Sequence, residues 1–173
     1  MVSAFAATAP PEAAAKPAWH NKPTVTGDLR TISVQPGESL QAAFDAAEPG
    51  DAILLGSGRH EVSGNLVMRR SGTANAWIQV KTEPGAKRAV IDLNGSGEFR
   101  ISGSYVLLKR VKIRHGGGNN LHIAPEGGDT SDVIIRKVNI RALDWGPGAA
   151  IKLNRNGPHD VRRVYILDSN VSE

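Results

Sequence analysis

Six residues that could do chemistry fall within a short span of the second half of the chain. In Ala150-Ile151-Lys152-Leu153-Asn154-Arg155, strand alternation buries Ile151 and Leu153 and turns Lys152 outward, with Asn154 and Arg155 just beyond. His122 takes the same outward position in Leu121-His122-Ile123, one repeat earlier, and is expected directly below Lys152. Asp144-Trp145-Gly146, on the loop before the lysine strand, supplies an acid and an indole. Histidine, lysine and arginine move protons or hold anions, and an indole offers a flat face to a sugar ring. Lys152, Arg155 and His122 are therefore the candidate catalytic residues, and Trp145, Asp144 and Asn154 the candidate substrate-binding ones. The competing reading is a scaffold with ordinary surface charges and a packed Trp145.

Other clusters carry less. Asp129 and Asp132 near Glu126 are acids of the type that bind a hard cation, but loop acids usually do not, and no metal ligands are assigned. His115-Gly116-Gly117-Gly118-Asn119-Asn120 is glycine-rich, yet no helix follows it, so it is not read as a phosphate cradle.

The charge is uneven. Residues 1–99 hold nine Lys/Arg against ten Asp/Glu, while residues 100–173 hold twelve against seven. A basic second half suits an anionic partner: a uronic-acid polymer, nucleic acid or a lipid surface. With no cysteine there are no disulfides or thiolate metal sites, and no apolar run reaches the length of a membrane-spanning helix.

The elements that must position these residues are short. Residues 1–30, with Pro10-Pro11, Pro17 and Pro23, read as a leader or linker without periodicity. Ser39 caps a short helix, Leu40 to Ala47, with Leu40, Ala43, Phe44 and Ala47 on one apolar face. Pro49-Gly50-Asp51 breaks it before a buried strand, Ile53-Leu54-Leu55. Apolar triplets then begin at residues 53, 78, 106, 133 and 164, spaced 25, 28, 27 and 31 apart. Val106-x-Leu108-x-x-Val111-x-Ile113 repeats as Val133-x-Ile135-x-x-Val138-x-Ile140, and a second strand series runs between the triplets. No crossover helix lies between them, so a doubly wound fold is excluded, and stacked coils of parallel strands fit best. Asn139 and Asn170 share one slot in successive repeats and are candidates for a hydrogen-bonded asparagine ladder.

Ser39 to Leu55, followed by Gly58-Arg59-His60, resembles the opening cap of pectin-lyase-like proteins. Ser71-Gly72-Thr73-Ala74-Asn75-Ala76-Trp77-Ile78-Gln79-Val80 and Ile101-Ser102-Gly103-Ser104-Tyr105-Val106 resemble successive coils of the alginate-lyase and chondroitinase-B-like branch. The resemblance implies an all-β, right-handed parallel β-helix over residues 31–173, about five coils, closed at one end by the short helix and uncapped at the other. It implies lyase chemistry on acidic, uronate-containing polysaccharide: a base takes the proton α to the carboxylate while a cation holds that carboxylate. Calcium is implied as a cofactor by the resemblance alone, and the branch's own catalytic motif has no match before Glu173.

The expected partner is thus an acidic polysaccharide rather than nucleic acid, with secretion or a periplasmic location, although Met1 to Ala7 lacks the basic start of a signal peptide. The expected activity is that of the N-terminal part of a polysaccharide-active protein, of lyase type. The alternatives are a non-catalytic carbohydrate-binding or surface protein, or an inactive truncated fragment whose open end self-associates.

Overall fold

The computed structural model describes residues 30–141 and 148–172. Strand β1 (Thr31–Val34) comes first, followed by helix α1 (Leu40–Asp45). The Ser39 hydroxyl accepts the Ala42 N–H at 3.2 Å and caps the helix, as its residue type and position dictate. The helix ends two residues earlier than its apolar periodicity suggests, because the Ala46 and Ala47 amides turn back to Ala42 and Phe44 before the Pro49-Gly50 break. Its apolar face is nonetheless the one expected: Leu40, Ala43, Phe44 and Ala47 are all buried.

After the helix the chain winds. The first coil holds β2 (Ala52–Leu55), β3 (Arg59–Glu61) and β4 (Leu66–Met68). The second holds β5 (Ile78–Thr82), β6 (Val90–Asp92) and β7 (Phe99–Ile101), and the third β8 (Val106–Lys109), β9 (Lys112–Arg114) and β10 (Leu121–Ile123). The fourth holds β11 (Thr130–Arg136), β12 (Asn139–Arg141) and β13 (Ile151–Leu153), and the described fifth coil holds β14 (Val161–Leu167) and β15 (Asn170–Ser172). Each strand pairs in parallel with its counterpart one coil away. Three sheets result: sheet A is β1-β2-β5-β8-β11-β14, sheet B is β3-β6-β9-β12-β15, and sheet C is β4-β7-β10-β13. The architecture is a parallel β-helix.

Register between coils follows the inward side chains. On sheet C, Leu66, Phe99, Leu121 and Ile151 share one inward row, and Met68, Ile101, Ile123 and Leu153 the next. On sheet A the pairing places Ile53 against Val80 rather than Ile78. The spacing inferred from the first triplets is therefore corrected by two residues. The reason is that β5 is long enough to bury both Ile78 and Val80, and a two-residue displacement leaves inside and outside unchanged.

Coils turn sharply where sheet A passes to sheet B. Arg110, Lys137 and Asp168 stack at this corner with φ of 59°, 53° and 50°. The left-handed corner leaves Asn139 and Asn170 two residues further on, paired in register as strand residues with no hydrogen bond between their side chains. The shared slot is as expected, whereas a ladder of bonded amides is not what fills it. Gly97 is forced by two constraints at once: its φ is +71°, and a Cβ there would sit 2.2 Å from the Gly64 backbone of the coil below.

Helix α1 closes the first-coil end. Phe44 is fully buried, with its ring centroid 5.5 Å from that of Phe99. Gln41 meets the outer edge of β4 twice, accepting the Val67 N–H at 2.8 Å and donating to the Val67 carbonyl at 3.0 Å, so the helix supplies the bonds a neighbouring strand would. At the other end, Leu153 of the fourth coil and Ile166 and Val171 of the fifth hold inward positions in register with buried residues but are 47%, 45% and 48% exposed. Among the described residues no helix is long and apolar enough to cross a membrane.

The plug yields a prediction. Phe44→Ala removes a fully buried ring against Phe99 and is expected to lower the unfolding free energy by about 3–5 kcal/mol. Urea titration followed by circular dichroism checks it, and a loss below about 1 kcal/mol would contradict a plugging role.

Candidate functional site

Sheet C carries the candidate residues. Its inward rows are apolar, so the middle residue of each three-residue strand must point out of the cylinder. In register order these residues are Val67, Arg100, His122 and Lys152. His122 is paired with Lys152, as the outward alternation requires. Arg100, one coil earlier, completes a ladder of three nitrogen-rich side chains at a strand spacing of about 4.8 Å.

Glu98 organises this ladder. It lies just ahead of β7, with its side chain only 12% exposed, and its carboxylate takes four hydrogen bonds. Arg100 donates through Nε at 3.0 Å and Nη2 at 2.5 Å, both to Oε1. His122 Nδ1 reaches the same oxygen at 2.7 Å, and Asn119 Nδ2 donates to Oε2 at 2.9 Å. Burial by itself would raise the carboxyl's pKa. The bonds from Asn119, His122 and Arg100, with the attraction of His122, outweigh it and hold the pKa down at about 2. Glu98 is therefore a fixed anion that draws the cations above it into one row.

His122 is outward but not open. Its side chain is 8% exposed, covered by Glu98 on one side and by Asn154 on the other, whose Oδ1 lies against Nε2. Asn154 is oriented in turn by donating to the Arg155 carbonyl at 2.8 Å. Arg155 swings away from the row and pairs with Asp160 at 2.7 Å. Lys152 is exposed, and its ammonium has no partner among the described residues. The structure thus brings His122, Lys152 and Asn154 together and sends the Arg155 guanidinium elsewhere. Asp144 and Trp145 lie outside the described residues.

Glu98, Arg100 and Asn119 were not among the sequence candidates. Arg100 was within reach, since it is the outward residue of Phe99-Arg100-Ile101, flanked by buried apolar neighbours just as His122 is. Asn119 belongs to the glycine-rich loop. Its side chain holds Glu98 with one end and accepts the Ala149 N–H at 3.3 Å with the other, so the loop braces an acid rather than cradling a phosphate. Nothing in the sequence distinguishes Glu98 from other acids before a strand.

The three acids of the type that binds a hard cation, Glu126, Asp129 and Asp132, are each paired with an arginine. Glu126 pairs with Arg69 at 3.1 Å, Asp129 with Arg162 at 3.3 Å and Asp132 with Arg163 at 2.6 Å. The Arg163 guanidinium, with Ser131, keeps the Asp132 carboxyl below its ordinary pKa although partial burial opposes it. A donor set neutralised one-to-one by arginines does not fit a calcium ion, and no step below uses one.

Comparison with known proteins agrees with this architecture. No family model matches the sequence, and no curated protein matches it. Among solved structures the chain is similar to an alginate lyase from Paenibacillus sp. str. FPU-7, with a TM-score of 0.53 and 24% identity, over 79% of this chain and 58% of that one. It is also similar to the pectate lyase Pel9A, with a TM-score of 0.46 and 19% identity, over 65% of this chain and 39% of that one. The chain therefore spans less than two thirds of the length of either structure.

The Glu98 cluster sets an acid sensitivity. A carboxyl whose pKa is lowered on folding stabilises the fold above its unfolded value, near 4.5, and that stabilisation is lost as the pH falls toward 2. Unfolding free energy is expected to drop between pH 4.5 and 2 and to drop less steeply in Glu98→Gln. Glu98→Ala, which strands Arg100 and His122, should cost about 3 kcal/mol at neutral pH by denaturant titration. Equal acid slopes in the wild type and Glu98→Gln would remove Glu98 from this role.

Packing, register and the likeness to the alginate lyase all concern the fold, and on that ground the chain is a parallel β-helix protein.

Proposed function

We propose that the outer face of sheet C recognises an acidic, uronate-containing polysaccharide and acts on it by β-elimination, as the N-terminal part of a lyase-type β-helix protein. The supporting observation is the in-register ladder of Arg100, His122 and Lys152, in which every member except Lys152 is held by a partner among the described residues. Arg100 is held by Glu98, His122 by Glu98 and Asn154, and Arg155 by Asp160. Lys152 is the group left to meet a ligand. In this reading Glu98 and Asn154 position His122, and His122 and Arg100 supply the positive field in which a uronate carboxylate settles. Lys152 takes the proton α to that carboxylate, the electron pair forms a carbon–carbon double bond as the bond from the next carbon to the glycosidic oxygen breaks, and that oxygen takes up a proton from water.

One observation favours the second reading, a face that binds without turnover. A lysine becomes a base when burial or a neighbouring cation disfavours its charged form, and Lys152 stands exposed. Both readings require the same ligand chemistry, and both suit a protein working outside the cytoplasm, where such polymers are found.

The experiment separates them. With alginate, pectate or dermatan-type substrates, calcium supplied, the first reading expects growing absorbance from unsaturated uronate products and a loss of about a hundredfold or more in Lys152→Ala. The second expects no product, with retention on the immobilised glycan that weakens as salt rises. Neither turnover nor retention would remove both.

A further inference from the structure

Sheet B carries a second cationic surface that the ladder on sheet C does not use. The residues of β9, β12 and β15 that point away from the core form two rows along the cylinder. One row is Lys112, Asn139 and Asn170, paired in register; the other, two residues further along each strand, is Arg114, Arg141 and Ser172. These six side chains line a cavity of about 240 Å³. Among the described residues no carboxylate lines it.

The groove is built rather than incidental. Beneath it Asp92 is fully buried and accepts Arg59 Nε at 2.8 Å, Arg114 Nε at 2.8 Å and His115 Nδ1 at 2.9 Å. This fixes the Arg114 guanidinium at the groove's lower rim while leaving its other nitrogens for a ligand. Lys112 is exposed and has no ion pair among the described residues. The Asn139 and Asn170 amides are likewise without side-chain partners there. Two kinds of recognition chemistry therefore share the groove: cations on the third and fourth coils, and amides with a hydroxyl on the fourth and fifth.

We propose that this groove is a binding site for one acidic sugar unit of a glycan, its carboxylate or sulfate meeting Lys112 and Arg114 and its ring hydroxyls meeting Asn139, Asn170 and Ser172. A bare anion would use only the cationic end, and a neutral sugar only the amide end. An anionic group on a polyhydroxylated ring uses both. The groove lies on a different sheet from the Arg100–His122–Lys152 ladder and contains none of its residues. It is an anchoring site and has no part in the proposed elimination.

The test is calorimetric titration of the whole chain with trigalacturonate and with a sulfated chondroitin disaccharide, using maltotriose as the neutral control. Two binding events are expected with the acidic probes. Lys112→Ala combined with Asn139→Ala should weaken one of them by about tenfold or more, since it removes a charged and a neutral hydrogen bond, and leave the other unchanged. Lys152→Ala should weaken only the other. If the double variant is poorly folded, Lys112→Gln, a substitution at an exposed position, provides the same comparison. A single event lost in the Lys112 variants supports the groove and overturns the sheet C reading. A single event lost only in Lys152→Ala overturns the groove, as does equal binding of maltotriose. No binding of either acidic probe overturns both.

Discussion

One constraint governs this molecule: an inward side chain must stack on an inward side chain of the next coil. Strand alternation has a period of two, so once Leu121 and Ile123 are inside, His122 is outside. Register then transmits that choice along the cylinder, placing Arg100 below and Lys152 above. Functional rows in such a fold are thus consequences of core packing. A one-residue slip in β7, β10 or β13 would turn a polar side chain inward and two apolar ones outward, so the ladder is as strongly specified as the core itself.

The same constraint creates an electrostatic difficulty. Stacking places like charges about one strand spacing apart, where repulsion is appreciable near a protein surface. Each sheet resolves it differently. On sheet C a buried acid, Glu98, binds two of the three members of the row. On sheet B the buried Asp92 gathers Arg59, Arg114 and His115. On sheet A, Lys81 pairs in register with Lys109, and Lys109 with Arg136. There desolvation first, and Lys109 second, push the Lys81 pKa down. Arg136 of that row pairs with Asp168 at 3.3 Å.

What the sequence disclosed follows from this division. The helical plug, its Ser39 cap and its buried face were legible because capping and 3.6-residue periodicity are local. The coils were legible because branched aliphatic triplets recur, and the pairing of His122 with Lys152 followed from alternation plus the repeat. The first register was misread because Ile78 and Val80 are both inward, and a pattern of period two cannot tell them apart. Glu98 was invisible for a different reason. Its importance arises from four donor atoms, two of them from another coil and a loop, that converge only in space. The outward positions of Arg100 and Lys152 were local facts, but which of them stays available to a ligand depends on what lies around each one.

Among Arg100, His122 and Arg155, each cation spends its strongest interaction on a protein acceptor, which fixes its position and reduces its freedom to follow a substrate. Lys152, the most loosely held member, sits beside the most tightly held one. A row of donors fixed by protein acceptors, with one exposed ammonium at its end, resembles the division of labour in a preorganised site, where fixed groups set the field and one group makes contact. The fixing itself traces back to Glu98, and Glu98 is kept ionised because the coil above supplies His122 and the loop supplies Asn119. The field at the surface is therefore set by the stacking of coils as much as by the residues that display it.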